Sequence, residues 1–188
     1  MNGLVSPSVR ALVINPTNPS IMYLASTASS DFGASRGCYK SVDGGNTWTP
    51  ANNGLGNGGI IYVVIDPLTP STLYASSGFG VMKSTDSGGT WNLVGPQSLG
   101  SVALAIDPVT PTTLYSADNN SGGKVSKSTD GGANWQVVSN GYTGSPSFIA
   151  IDPKTLPVST ADYLRRLTAA QTGPRLTRGS AALSLSIR

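Results

Sequence analysis

The aspartates are the residues of this chain that could do acid–base chemistry. Among its 188 residues are nine acidic side chains, all of them Asp, together with a single Cys and no His. Without His, neither a Ser-His-Asp triad nor the usual zinc site can be assembled. The lone Cys38 cannot form an internal disulfide and does not reveal the redox compartment. The remaining possibility is paired carboxylates, as in glycoside hydrolysis, and the sequence indicates no cofactor and no metal.

Three aspartates recur in one motif, S-x-D-x-G-x-x-W, with spacings of 43 and 44 residues. The motif residues are Ser41, Asp43, Gly45 and Trp48; Ser84, Asp86, Gly88 and Trp91; and Ser128, Asp130, Gly132 and Trp135. In a tight turn, an Asp accepts main-chain hydrogen bonds and a Gly permits a positive φ. A calcium loop would need several oxygen side chains at alternating positions. We therefore interpret these aspartates as structural braces of turns, and not as catalytic residues or calcium ligands.

A second motif, Asn-Pro or Asp-Pro, keeps the same register at residues 15, 66, 107 and 152. The two motifs together predict four short strands in about 44 residues, which is one propeller blade. Within the repeats, only Asp31 and Asp118 fall outside both motifs. They are predicted to lie in loops between second and third strands, and are the weak candidates for a catalytic carboxylate.

These motifs resemble the Asp-box (BNR) repeat of sialidases, the sortilin luminal domain, xyloglucanase-type glycoside hydrolases and photosystem-assembly propellers. The resemblance covers residues 1–155 and implies an all-β fold, a partial β-propeller of about three four-stranded blades plus the start of a fourth. The blades are expected at about 9–52, 60–96 and 101–140, with the fourth starting at 145. A sialidase site would also need an arginine cluster. The repeats hold only Arg10 and Arg36, so a complete sialidase site cannot be assembled.

The positive charge is confined to the end of the chain. The net charge is +3, yet the segment up to Thr155 carries seven basic residues against eight Asp. The repeats are therefore near neutral, and we expect no nucleic-acid partner. No apolar stretch reaches the length of about 18 residues that a transmembrane helix needs, so we expect no membrane insertion.

Residues 156–188 break the repeat and form an aberrant basic tail, for which we expect low order. In a shifted reading frame, the possible codons of residues 165–173 permit Ser-Thr-Asp-Gly-Gly-Ala-Asn-Trp. We interpret the tail as a frameshifted fourth repeat; sequencing the gene across codons 150–160 tests this. At the other end, residues 2–4 (Asn-Gly-Leu) stand in the same register to Asn15 as residues 53–55 to Asp66, which predicts an earlier blade.

Several functions are compatible with these repeats. The favoured hypothesis is a non-catalytic extracellular interaction or scaffold module, secreted or on the surface of a bacterial cell. Its partners would be a protein or glycan ligand and the remaining blades of a larger propeller. One alternative is a fragment of a glycoside hydrolase, xyloglucanase- or sialidase-like, acting on extracellular glycans. Another is a sortilin-like or photosystem-assembly-like receptor propeller. Closed propellers usually have 4 to 8 blades. Since three blades cannot close, we expect poor solubility or self-association of the isolated chain.

Overall fold

The computed structural model describes residues 8–27, 37–56, 59–95, 101–118, 123–139, 144, 146, 148–152 and 185–187. Three four-stranded antiparallel sheets, here called the first, second and third blade, make up most of it. Their strands pair in sequence order, so that each blade is a simple meander. The predicted all-β fold with three four-stranded blades is confirmed. No helix occurs in the described ranges, and accordingly none that could cross a membrane.

The strands of the three blades follow the repeat. The first blade contains β1 (Val9–Ile14), β2 (Met22–Ser26), β3 (Gly37–Ser41) and β4 (Thr49–Pro50). The second blade contains β5 (Ile60–Ile65), β6 (Leu73–Ser77), β7 (Gly80–Ser84) and β8 (Asn92–Leu93). The third blade contains β9 (Ser101–Ile106), β10 (Leu114–Asp118), β11 (Val125–Ser128) and β12 (Gln136–Val137). In each blade the fourth strand is only two residues long and exposed.

The second and third strands of each blade are the most deeply buried. All five residues of β6 are buried, whereas an antiparallel strand with one wet face would alternate between buried and exposed positions. The difference arises because both faces of a blade pack against neighbouring blades. Small side chains such as Ala75 and Ser76 let those neighbours approach closely.

The hydrophobic core lies between the blades. One cluster fills the space between the first and second blades, and its largest members are Tyr23, Leu73 and Trp91. A second cluster joins the second and third blades through Tyr74, Val81, Leu104 and Leu114. Burial of apolar area at these junctions is the main stabilising contribution to the arrangement.

One strand continues the pattern beyond the third blade. β13 (Ile149–Ile151) packs against β9, and Ile149 belongs to the apolar cluster of the third blade. It therefore stands where the first strand of a fourth blade is expected. β13 pairs in parallel with β14 (Leu185–Ile187), a strand within the tail for which low order was expected. The rest of residues 156–188 lies outside the described residues.

Candidate functional site

Each S-x-D-x-G-x-x-W segment, here called an Asp turn, joins the third and fourth strands of a blade. In the first blade, Asp43 Oδ1 accepts hydrogen bonds from the Ser41 hydroxyl at 2.8 Å and from the Thr47 N–H at 2.9 Å. Asp43 Oδ2 accepts one from the Thr47 hydroxyl at 2.6 Å. Ser41 Oγ in turn accepts the Gly45 N–H at 2.9 Å. Both carboxylate oxygens are thus engaged within the turn.

The other two Asp turns repeat this geometry. Asp86 accepts the backbone N–H and hydroxyl of Thr90 at 2.8 and 2.7 Å. Asp130 accepts the backbone N–H and side-chain amide of Asn134 at 2.8 and 2.7 Å. These hydrogen bonds favour the ionised carboxylate, and they lower the pKa of Asp43, Asp86 and Asp130 from 3.8 to about 2. A carboxyl with such a pKa is a poor general acid near neutral pH.

Two consecutive residues in each Asp turn have positive φ. The Gly of the motif has φ of 90°, 83° and 93° in Gly45, Gly88 and Gly132. The residue before it is Gly44 or Gly131 in two blades, but Ser87 in the second, with φ of 60°. Ser87 is the one non-Gly residue with positive φ in the described part of the chain. In the second and third blades, the left-handed conformation directs the carbonyl of Ser87 or Gly131 toward the preceding blade.

A tyrosine and a lysine of one blade hold the Asp turn of the next. The Tyr23 hydroxyl and the Lys40 ammonium both donate to the carbonyl of Ser87, at 3.1 and 3.0 Å. The ammonium also lies 5.5 Å from the centre of the Tyr23 ring, within the range of a cation–π contact. We call this Tyr–Lys pair, with its shared acceptor, the clamp.

The clamp recurs at the next junction. Tyr74 and Lys83 donate to the carbonyl of Gly131 at 3.1 and 3.0 Å, with the ammonium 5.2 Å from the ring centre. The sequence analysis did not find this pairing of Tyr and Lys. The available signal was a Lys directly before the Ser of all three motifs: Lys40, Lys83 and Lys127.

The tryptophans of the Asp turns also connect neighbouring blades. Trp91 Nε1 donates to the carbonyl of Ala51 in the first blade at 2.9 Å. Trp135 Nε1 donates to the carbonyl of Val94 in the second blade at the same distance. Ala51 and Val94 stand three residues after the Trp of their own blades. The second and third Asp turns are therefore each held by the preceding blade, whose tyrosine and lysine donate to the turn and whose main-chain carbonyl accepts from its Trp.

The Asn-Pro and Asp-Pro motifs form local turns. Asp66 Oδ1 accepts the backbone N–H groups of Leu68 and Thr69 at 2.9 and 3.0 Å. Asp107 Oδ1 likewise accepts the backbone N–H groups of Val109 and Thr110 at 2.8 and 3.1 Å. These carboxylates act as Asx-turn acceptors.

Asp118 is placed differently from its prediction. It is the last residue of β10, not a loop residue, since its N–H donates to the carbonyl of Lys124 at 2.9 Å and it pairs with Ser101. It is buried, and its Oδ1 has no hydrogen-bond partner among the described residues. The equivalent position holds buried serines, Ser26 and Ser77, in the other blades. The other weak candidate, Asp31, lies outside the described residues.

The remaining reactive side chains offer no catalytic set among the described residues. Cys38 is fully buried, and burial raises the pKa of its thiol to about 12, so the nucleophilic thiolate is disfavoured. Arg10 donates to the hydroxyl of Thr27 at 3.0 Å. No group of three potential metal-binding His, Cys, Asp or Glu side chains occurs in the described ranges.

Comparison with known proteins identifies the fold. No protein-family model matches the chain, and no curated protein matches it. Among solved structures, the GH74 enzyme of Niastella koreensis is similar over 74% of this chain, with 26% identity and a TM-score of 0.60. An ancestral GH74 enzyme is similar over 72% of the chain, with 22% identity and a TM-score of 0.60. The chain spans only 24% and 18% of those two proteins.

A propeller of a different kind is similar as well. YCF48 bound to a D1 peptide matches over 77% of this chain and 43% of its own length, with 16% identity and a TM-score of 0.57. These likenesses establish that the chain is part of a β-propeller. Because they include both enzymes and a peptide-binding protein, the fold alone does not determine the activity.

Proposed function

We propose that this chain is a non-catalytic segment of a propeller built from Asp-box repeats, and that it serves as an interaction scaffold outside the cell. The observation that carries the proposal is the engagement of both oxygens of Asp43, Asp86 and Asp130 within their own turns. These aspartates, the most regular acidic residues of the chain, act as turn braces. The serines, glycines and tryptophans of the same motifs share that structural role.

The similarity to YCF48 bound to a D1 peptide supports a peptide or protein as the partner. A propeller presents loops from successive blades on one surface, which suits it to this use. The proposed location is the outside of a bacterial cell, secreted or surface-bound, with the remaining blades of a larger propeller as structural partners. A sortilin-like or photosystem-assembly-like receptor is a special case of the same proposal.

A fragment of a glycoside hydrolase is the second candidate. The likeness to the Niastella koreensis GH74 enzyme supports it. Asp118 is the carboxylate that would take part, since its buried Oδ1 accepts no hydrogen bond from another described residue. Such hydrolysis normally requires two carboxyl groups about 5 to 10 Å apart. In this candidate the second carboxylate comes from the rest of the parent protein.

Incubation of the purified chain with xyloglucan and with a sialoside tests whether the chain is catalytic by itself, and the same assay on the longer parent protein tests the glycoside hydrolase candidate. We expect no release of reducing ends or sialic acid above the level of buffer. Release that disappears in Asp118→Asn but persists in Asp66→Asn would overturn the non-catalytic assignment. Affinity electrophoresis in gels containing xyloglucan measures glycan binding in the same preparations.

A further inference from the structure

The two kinds of turn in each blade lie on the same face of the molecule. The segments between first and second strands, here called the Pro turns, and the Asp turns between third and fourth strands are at the same end of a four-stranded meander. In the second blade, the Ser87 N–H donates to the Ser71 carbonyl at 2.8 Å, and the other blades repeat this bond between their two turns. The clamps join neighbouring blades at this end. We call this side the turn face, and its turn residues in the three blades are all described.

The most exposed large apolar side chains of the described residues are all on the turn face. Leu68 is 69% exposed, Val109 65% and Val42 64%, whereas every other described large apolar side chain is 53% exposed or less. Leu68 and Val109 occupy equivalent positions at the tips of their Pro turns, and Val42 directly precedes the aspartate of the first Asp turn. Single exposed apolar residues are ordinary, but their concentration on one face indicates a contact surface.

The backbone beneath these side chains is held in place. The Asx-turn bonds fix the N–H groups of Leu68 and Val109, and in the first blade the Thr17 N–H donates to Asn15 Oδ1 at 2.9 Å. The tip residue therefore varies from blade to blade while its main-chain bond stays the same. A side chain presented on a fixed backbone loses less conformational entropy on binding.

The turn face is also acidic. It carries one carboxylate in each Asp turn and one in each Asp-Pro motif: Asp43, Asp66, Asp86, Asp107, Asp130 and Asp152. Among the described residues, the basic side chains at this end of the strands are Lys40, Lys83 and Lys127. The clamps already engage the first two of these lysines. The remaining described basic residues, Arg10 and Lys124, stand at the opposite end of their strands.

The Asp-turn carboxylates keep room for one more donor. Asp86 Oδ1 accepts the Ser84 hydroxyl and the Thr90 N–H, whereas Oδ2 accepts only the Thr90 hydroxyl from the described residues. Since a carboxylate offers about four acceptor positions, one position on Oδ2 is left for a partner. Asp43 and Asp130 share this pattern. An Arg or Lys donating there would form a charge-assisted hydrogen bond.

These features distinguish between classes of partner. Carboxylates repel the phosphates of a nucleic acid. Sugar rings stack on exposed aromatic side chains, yet Trp48 and Trp91 are only 6% and 3% exposed, and no aromatic residue of the described turns is exposed. Aliphatic tips beside carboxylates instead match a protein segment that combines aliphatic and basic side chains.

We propose that the turn face binds a protein segment of basic and aliphatic composition. Aliphatic side chains of this segment pack on Leu68 and Val109, and its Arg or Lys side chains donate to Asp86 and Asp130. The inference rests on the proposed function as an interaction scaffold, to which it adds a binding face and a chemical class of partner. The Asp braces thereby acquire a second use, since they hold the contact residues in position.

A random peptide library displayed on phage, selected on the full chain, supplies the probe. We expect the recovered peptides to be enriched in Arg or Lys together with Leu, Ile or Val. Fluorescence anisotropy of one such peptide, synthesised with a dye label, then measures its dissociation constant for the wild-type chain and for substituted chains.

Two double substitutions on the turn face should weaken this binding. Leu68→Ser with Val109→Ser should raise the dissociation constant by about tenfold or more, because the apolar contact is lost. Thr85→Lys with Thr129→Lys places positive charge at exposed positions directly before two Asp-turn aspartates and leaves the braces intact. It should raise the dissociation constant by about tenfold at low salt. This second effect should shrink as salt is added.

Matched controls alter the opposite face. Phe79→Ser removes an exposed apolar side chain between β6 and β7, and Asn53→Lys adds a charge at an exposed position between β4 and β5. Both should leave the dissociation constant unchanged. Urea unfolding of every variant verifies that the substituted chains are folded.

The outcomes separate this proposal from the function on which it rests. Peptide binding that depends on Phe79 or Asn53, and not on the turn face, would overturn the proposal and leave the scaffold function standing. Recovery of no peptide would overturn both. Recovered peptides without basic residues, or equal weakening by all four variants, would overturn the proposed contact. Self-association of the wild-type chain that Leu68→Ser with Val109→Ser abolishes would identify a second copy as the occupant, and would likewise overturn it.

Discussion

At the scale of single residues, Ser87 carries a conformational cost that its counterparts avoid. A left-handed backbone costs an L-residue about 1–2 kcal/mol relative to Gly, and the other two Asp turns have Gly at this position. The clamp explains why a serine is tolerated, because Tyr23 and Lys40 bind the main-chain carbonyl and not the side chain.

Exchanging serine and glycine between two turns tests this cost. Ser87→Gly should stabilise the chain by about 0.5–1 kcal/mol, the relief of strain less the gain in unfolded-state entropy. Gly44→Ser should destabilise it by a similar amount, since an added Cβ there meets no atom within 4 Å and only the backbone φ opposes it. Urea unfolding of the two variants checks both signs. Two shifts of the same sign would contradict the strain argument.

Local contacts were the predictable part at this scale. The bonds of Asp43 and Asp66 reach residues at most four positions away, so the motif itself contains donor and acceptor. The clamp bonds join residues 47 to 64 positions apart, and no local pattern encodes them. Asp118 was expected in a loop because it falls outside both motifs, between the second and third strands of its repeat. β10 extends one residue further than its apolar pattern indicates.

At the scale of elements, the strands that face neighbouring blades depend on the clamp for their alignment. Tyr74 is in β6 and Lys83 in β7, and both reach the turn that follows β11. A buried hydroxyl and an ammonium on one carbonyl therefore fix the position of one blade against the next. The strands themselves were predictable from the repeat, since their order and approximate bounds follow the two motifs. The partners across a junction were not.

Removal of a clamp hydroxyl should therefore weaken a junction. Tyr74→Phe should lower the free energy of unfolding by about 1 kcal/mol, and Lys83→Met by about 1–3 kcal/mol, because a charged donor is lost together with its cation–π contact. The matched control is Tyr115→Phe, which makes the same change in the third blade, where Tyr115 lies beside Lys127 but makes no hydrogen bond to another described residue. This substitution should have almost no effect. Equal losses at both tyrosines, measured by urea unfolding, would contradict a specific role of the clamp.

At the scale of the whole molecule, the three Asp turns make the propeller segment sensitive to acid. The carboxylate pKa is about 2 in the folded chain and close to 3.8 when unfolded. Since the pKa is lower in the folded chain, the ionised carboxylates make their full stabilising contribution above about pH 4. This contribution is lost as the pH falls through the pKa of the folded chain.

Urea unfolding between pH 6 and pH 2 tests this linkage. The urea concentration at half-unfolding should decrease as the pH is lowered below about 4. Asp86→Asn should make that decrease less steep, because one of the three carboxyls with a lowered pKa is gone. Asp43→Asn and Asp130→Asn should behave alike, since their hydrogen bonds repeat. A midpoint that does not change with pH, or a slope that the substitutions leave intact, would show that these turns are not the acid-sensitive elements.

Because each clamp binds a main-chain carbonyl, its hydrogen bonds do not depend on the side chain of the residue that it contacts. Ser87 and Gly131 differ in side chain but offer the same atom to their clamps. A repeat copied, lost or moved within the gene would therefore keep its clamp with a new neighbour, and compensating substitutions would be needed only in the apolar contacts between the blades. The same property makes the repeat a practical unit for designing propellers of chosen size, in which the Tyr–Lys pair of each blade binds the next blade.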